Sequence, residues 1–286
     1  MTITGGARGI GLATAAALIA QGAKVAIGDL DGAPGAAAEL GGDALGLPLD
    51  VTSRESFTGF LDQAERRFGP VDVFINNAGI MPLGPFVDER DELTARVIDV
   101  NLVGVMLGCK LALERLLQRD SGHIVNVASS GGKIGLPGGA TYSATKFAVV
   151  GLSEAIRAEL AGTRVKLHLV MPAPVATEMA AGERKLRGIR QLEPSDVAQA
   201  IVDALRYGHA DVYLPRVLGP LLRGAPALPQ PLAERLGRLI GSHRVLAGAD
   251  PLARAAYEAK IAPAPQDAAA TVASAAASVA DAVGDN

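Results

Sequence analysis

Tryptophan is absent from this 286-residue chain, aromatic residues make up only 3% of it, and cysteine occurs once. So few aromatics exclude the stacking platform that single-stranded nucleic acid requires. A net charge of −3 likewise argues against a general nucleic-acid binder, which would present a basic face. The single Cys109 rules out an intramolecular disulfide framework and fits a reducing compartment. It lies in an apolar helical stretch from Val103 to Leu117, where a packed core thiol is expected. The histidines (His123, His168, His209 and His243) are scattered without ligand spacing, so no metal site is expected. No apolar run reaches ~18 residues and no signal-peptide pattern opens the chain, which predicts a soluble, cytoplasmic protein.

What is present is ample apolar content, 49% of residues, in short runs that alternate with helical patterns. Strands are expected at Thr2–Thr4, Lys24–Gly28, Ala44–Pro48, Val71–Asn76, His123–Ala128, Val165–Met171 and Asp211–Leu214. Helices are expected at Gly9–Gln21, Gly32–Leu40, Ser53–Phe68, Asp91–Arg119, Thr141–Ala161 and Pro194–Tyr207. Nearly all-apolar strands separated by helices imply a parallel sheet covered on both faces. The expected fold is α/β: a doubly wound, Rossmann-type, mostly parallel seven-stranded sheet. The first strand is short for a central one, and a longer natural N-terminus is one reading of that shortness.

Thr4-Gly5-Gly6-Ala7-Arg8-Gly9-Ile10-Gly11 follows the first strand and opens a helix. Gly5, Gly9 and Gly11 permit a tight turn and close approach of a pyrophosphate to backbone N–H groups at a helix N-terminus. A mononucleotide P-loop is excluded, because Leu12 and Ala13 stand where Lys-Ser/Thr would follow. The competing reading is a plain glycine-rich turn. Asp29, 18 residues after Gly11, can accept bonds from adenosine ribose hydroxyls and repel a 2′-phosphate. That favours NAD, with NADP as the alternative because the Arg8 guanidinium could pair with such a phosphate. A solvated surface carboxylate is the bland reading of Asp29. Tyr142 and Lys146, four residues apart on a helix, share one face. A nearby ammonium is expected to lower the phenol pKa toward working pH and make a proton donor and acceptor.

With that loop, Asn76-Asn77-Ala78-Gly79, Asn101, Ser129 and Tyr142-x-x-x-Lys146 in this order, the chain resembles the short-chain dehydrogenase/reductase family. The resemblance implies an active tetrad of Asn101, Ser129, Tyr142 and Lys146, with Asn101 holding a water that connects Lys146 to solvent. Ser129 fits the family spacing thirteen residues before Tyr142; Ser130 is one off. It also implies cofactor contacts from Arg8, Ile10, Asp29 and Leu30, adenine contacts from Asp50 and Val51, and a wall built by Asn77, Ala78 and Gly79. A structural turn remains open for Asn77. Pro172-Ala173-Pro174-Val175-Ala176-Thr177 resembles the family's segment that fixes the nicotinamide carboxamide through Val175 and Thr177. Ala173 replaces the usual glycine there, and would shift the loop if that position required positive φ. Homodimers or homotetramers through the Asp91–Arg119 and Thr141–Ala161 helices are implied as well.

The implied activity is interconversion of a small-molecule secondary alcohol and its ketone. Met81, Pro82, Ile134, Leu136 and Met179 are expected to make an apolar substrate pocket, with Lys133 and Glu178 as charged exceptions. The alternatives are an NADPH-dependent carbonyl reductase, a non-catalytic dinucleotide-binding protein, and chemistry on a sugar nucleotide, for which the C-terminal part is short. Residues 1–214 form the expected dinucleotide-binding and catalytic domain, 215–261 a helical extension, and 262–286 an Ala-rich disordered tail. In the extension, Leu232, Leu236, Leu239 and Ile240 form an apolar stripe flanked by Arg235 and Arg238. A substrate lid, a subunit contact and peripheral membrane docking are all open for it.

Overall fold

The computed structural model describes residues 1–183, 190–224, 235 and 246–262. Strands β1 (Thr2–Thr4), β2 (Val25–Asp29), β3 (Ala44–Pro48), β4 (Val73–Asn76), β5 (Gly122–Val127), β6 (Val165–Pro172) and β7 (Asp211–Leu214) form one sheet. Its order is β3-β2-β1-β4-β5-β6-β7 and every pairing is parallel. The chain thus winds outward in two directions from β1 and β4, leaving a crevice at their carboxyl ends where such sheets bind ligands.

Alternation along each strand decides which layer a side chain joins. In β4, Phe74 packs with Phe57 of α3 (Arg54–Phe68) and Leu116 of α5 (Gly104–Gln118). Its neighbours Val73 and Ile75 join the opposite layer, with Leu18 of α1 (Gly9–Ile19) and Ile201 of α7 (Pro194–Tyr207). Full burial of each such side chain contributes roughly 1.5–3 kcal/mol, so the double-sided core explains why these strands read as continuous apolar runs. Polar residues at the strand ends are satisfied locally. Asn76 donates to Asn126 at 2.9 Å and to the Cys109 sulfur at 3.4 Å, while Asn126 donates to Ser153 at 2.9 Å. Burial pushes the Cys109 thiol up to about 11, which makes it an inert core group.

One expected helix is interrupted. The stretch from Asp91 to Arg119 comprises α4 (Asp91–Ile98), a π-helical turn (Asp99–Val103) and α5. The extra residue brings Asn101 inward, where its amide accepts from the Ile80 N–H and donates to the Ile80 carbonyl, both at 2.8 Å. Hydrophobic periodicity cannot reveal a one-residue insertion of this kind. After β7 come α8 (Gly219–Gly224) and α9 (Pro251–Ile261); α2 (Ala33–Leu40) and α6 (Ala140–Glu159) complete the helices named here. Leu232, Leu236, Leu239, Ile240, Arg238 and residues 263–286 lie outside the described residues.

Near the opposite, amino end of the sheet, His168 Nδ1 lies 2.7 Å from the His209 carbonyl and Nε2 lies 2.9 Å from His123 Nδ1. A carbonyl can only accept, so Nδ1 carries the His168 proton and Nε2 accepts from His123. Burial holds His168 down at about 4 and, with the Lys166 charge, lowers His123 as well. A depressed histidine gives stability that is present above its unfolded pKa and lost as pH falls, here from about 6.5 toward 4. The unfolding free energy from urea titrations should therefore drop across that window, by up to ~1.4 kcal/mol per pH unit for one proton. His168→Gln should flatten the curve; equal slopes in both proteins would contradict the assignment.

Candidate active site

The glycine loop turns directly from β1 into α1. Arg8 occupies the N-cap position without a side-chain cap, and the first turn of α1 holds no acidic residue. Its free N–H groups and dipole therefore face the crevice without an internal partner, an arrangement that suits an anion. Gly9 has φ +53°, and a Cβ there would project only toward the Thr177 methyl at 3.3 Å, across the crevice. At Gly11 the reason for glycine is packing: a Cβ would lie 2.1 Å from the Gly5 carbonyl oxygen. Asn77 fastens this loop to β4. Its Nδ2 donates to the carbonyls of Thr4 and Gly5, both at 3.0 Å, while the Thr4 hydroxyl accepts from the Asn77 and Ala78 N–H groups. Asn77 also lines the crevice.

At the end of β2, Asp29 accepts from the Ala7 N–H at 3.1 Å and pairs with Arg8 at 3.5 Å. Arg8 also pairs with Glu178 at 3.5 Å, and Glu178 accepts from Lys260 of α9. Asp50 uses one carboxylate oxygen to accept from the N–H and hydroxyl of Thr52, at 2.9 and 2.7 Å. Leu30, Asp50, Val51, Ala78 and Gly79 line the cavity with Ile10, Val175 and Thr177. Ala173 is not among the positive-φ residues; its N–H donates to Leu214 at 2.7 Å, so alanine fits there without backbone strain.

At the other end of the cavity, α6 buries Tyr142 and Lys146 against the carboxyl end of β5. Lys146 donates to the Val127 carbonyl at 3.1 Å, and its Nζ lies 5.7 Å from the centre of the Tyr142 ring. Ser129 follows β5, its hydroxyl accepting from the Gly131 N–H at 3.0 Å and interacting with the Tyr142 phenol. Ser130 is buried beside it. The expected acidification of the phenol does not occur. Burial pushes Tyr142 up to about 12; the Ser129 hydrogen bond opposes this and the Glu183 charge adds to it. Desolvation also lowers Lys146 to about 8. Excluding water penalises both charged forms, and the ammonium over the ring does not offset that for the phenolate.

A single cavity of about 780 Å³ joins the two ends. Among the predicted site residues only Gly11 and Asn101 do not line it. Asn101 works one layer out, clamping Ile80 and donating to Thr145 at 3.3 Å. Of the expected substrate wall, Met81, Ile134, Leu136 and Met179 line the cavity, as does Glu178, but Pro82 and Lys133 do not; Lys133 pairs with Glu154 at 3.2 Å. Sequence reasoning missed Glu183, Arg254 and Tyr257. Arg254 of α9 is buried and donates to the carbonyls of Met81, Met179 and Ala181, while the Tyr257 hydroxyl accepts from the Met81 N–H at 2.9 Å. The signal available was Asp250-Pro251, an N-cap followed by proline at the first helical position.

A long crevice that can seat a dinucleotide beside a buried phenol defines a class of protein, the dinucleotide-dependent oxidoreductases. Within it the chain belongs to the short-chain dehydrogenase/reductase family: the family model described as short chain dehydrogenase matches residues 1–187. The chain is 37% identical over 179 residues to the 3-alpha-(or 20-beta)-hydroxysteroid dehydrogenase of Mycobacterium tuberculosis, covering 62% of this chain and 69% of that one. A short-chain dehydrogenase/reductase from Burkholderia phymatum, solved with NAD, superposes with a TM-score of 0.71 at 26% identity, covering 79% and 92% of the two chains. A variant of actinorhodin polyketide ketoreductase, solved with NADPH, gives 0.70 at 32% identity, covering 74% and 94%. The protein is therefore an NAD(P)-dependent dehydrogenase/reductase acting on CH–OH groups.

Gly11→Ala tests the packing. A methyl at that position must displace the Gly5 backbone, a strain of about 1–3 kcal/mol. Thermal unfolding should show that loss, and calorimetric titration should show weaker NAD binding; a variant matching the parent in both would refute the account of the loop.

Proposed function

We propose that this protein interconverts a lipophilic secondary alcohol and its ketone with NAD, Tyr142 serving as general acid and base. The observation that carries the reading is the buried Tyr142 phenol, interacting with Ser129 and opening into the same cavity as the uncapped N-terminus of α1. The residues present suit a dinucleotide: glycine at position 9 keeps the mouth of α1 clear, and the first-turn N–H groups have no acidic neighbour. In this reading α1 and Gly9 hold the pyrophosphate and Asp29 and Leu30 the adenosine ribose. Asp50 and Val51 flank adenine, and Val175 and Thr177 fix the carboxamide. The nicotinamide, when bound, supplies or accepts the hydride.

The protein's own part is proton handling and orientation. Tyr142 gives its proton to the substrate oxygen in reduction and takes it back in oxidation. Ser129 hydrogen-bonds the same oxygen and stabilises charge developing on it. Lys146, held by Val127, supports the phenol and would bind the nicotinamide ribose hydroxyls. Asn101 is a positioning residue that fixes Ile80 and, through Thr145, the first turns of α6. Preference for NAD over NADP is supported by Asp29, whose carboxylate faces the crevice, and by Arg8, whose charge is already shared between Asp29 and Glu178. The exposed apolar side chains Val103, Met106 and Phe147 support a homodimer or homotetramer. A cytoplasmic location belongs to the same proposal, supported by the single buried thiol.

The test is loss or gain of NADH fluorescence against a panel of lipophilic ketones and alcohols. Tyr142→Phe should abolish turnover while leaving NADH affinity nearly intact, and Lys146→Ala should impair both. Asp29→Ala should narrow the preference for NAD over NADP, read as the ratio of the two KM values. The pH dependence has a definite sign. Reduction uses the protonated phenol and should stay flat across neutral pH, whereas oxidation needs the ionised form and should rise by about tenfold per pH unit. Retention of most of kcat by Tyr142→Phe would sink the assignment.

A further inference from the structure

Arg254 of α9 is buried to 2% exposure, yet it does not line the cavity. Its donors go to the walls instead. Nη1 donates to the carbonyls of Met179 at 2.8 Å and Ala181 at 3.1 Å, in the segment after β6. Nη2 donates to the Met81 carbonyl at 2.7 Å, in the loop after β4, and Nε to Glu258 at 2.8 Å, one turn further along α9. The Tyr257 hydroxyl accepts from the Met81 N–H at 2.9 Å, so α9 holds both main-chain groups of Met81. Two glycines let this part of the chain press close to its neighbours. A Cβ on Gly182 (φ +72°) would lie 2.7 Å from the Asp250 carbonyl oxygen, and one on Gly138 (φ +86°) 2.7 Å from the Ala247 nitrogen. The residues so gripped stand beside the phenol: Met81 packs with Tyr142 and Leu246, Met179 packs against that cluster, and both methionines line the cavity.

A methionine side chain has three rotatable bonds and adapts to what it meets, so Met81 and Met179 by themselves give a pocket little shape. Shape has to come from the main chain that carries them. A planar guanidinium, with donors at fixed spacing, is suited to holding two main-chain segments at a fixed separation. Net stability is a weak account of such a residue, because a buried ion pair gains little over an apolar filling. We propose that Arg254 is a positioning residue that sets the width of the substrate pocket, selecting among ketones by shape through Met81 and Met179. The inference rests on the alcohol–ketone reading of this site. Arg254 itself meets neither the substrate nor the cofactor; it acts through the two loops it joins.

The experiment compares wild type, Arg254→Met, Arg254→Lys and Tyr257→Phe on two isomer pairs: racemic trans- and cis-2-decalone, and 5α- and 5β-androstan-3-one. Within each pair the atoms are the same and only the shape differs, one member flat and the other bent. In at least one pair the wild type should prefer one isomer by about tenfold or more in kcat/KM, the ratio falling below about threefold in Arg254→Met. Arg254→Lys, which keeps the charge and some donors but not the fork, should fall between them. A merely structural loss lowers both isomers alike and leaves the ratio where it was. NADH affinity should hold within about threefold, since no bond of Arg254 reaches the glycine loop. Should Arg254→Met fail to fold, Tyr257→Phe decides on the same ratio: it removes one bond to Met81, and a ratio cut by about half or more supports the proposal while an unchanged one contradicts it. No preference in wild type, an unchanged ratio in Arg254→Met, or NADH affinity lost in step with turnover overturns the proposal. Failure here with turnover intact and lost in Tyr142→Phe leaves the alcohol–ketone reading standing; absence of turnover on every ketone and alcohol removes that reading, and this inference with it.

Discussion

Desolvation at one turn of α6 is the constraint around which this molecule is organised. Tyr142 and Lys146 are carried side by side into a space closed by β5, the loop after β4 and α9. Water would screen their interaction and hydrate both charges. Without it, the phenol is held protonated and the ammonium loses affinity for its proton. In the proposed function, this protonated phenol beside a serine hydroxyl is the proton donor to a carbonyl oxygen. The rest of the structure keeps that pair dry and brings a dinucleotide crevice to it.

The sheet does the bringing. Seven parallel strands leave their carboxyl ends on one edge, and the winding reverses between β1 and β4, so loops from both halves meet there. Thr4 and Asn77 join the two halves by side-chain bonds at the point of reversal. The π turn adds a second tie, from Asn101 to Ile80, and Arg254 and Tyr257 of α9 add a third, to Met81. Three successive attachments therefore fix residues 77–81, all of which line the cavity.

Much of this was legible in the residues. Strand and helix positions followed from apolar period, and β3, β7 and α7 matched to the residue. Glycine spacing located the loop, and the four-residue step located the Tyr142–Lys146 face. The sign of the phenol's shift was not legible, since proximity of a cation is visible in sequence and depth of burial is not. Asn101 was singled out, yet its two bonds to Ile80 depend on a π turn that periodicity cannot register. Glu183 carried no motif at all: its place in the cavity wall is a property of packing alone.

The most direct test of this account is ring-carbon NMR of the cofactor-free protein labelled at the tyrosine Cζ, with Tyr142 assigned by its loss in Tyr142→Phe. Only four tyrosines are present, so the spectrum is simple. Burial as the dominant influence predicts that the Tyr142 signal stays at its phenol position from pH 6 to about 10, since its pKa is pushed up to about 12. A titration with its midpoint between about 7 and 9 would show that the Lys146 charge prevails over desolvation, and would contradict the central claim.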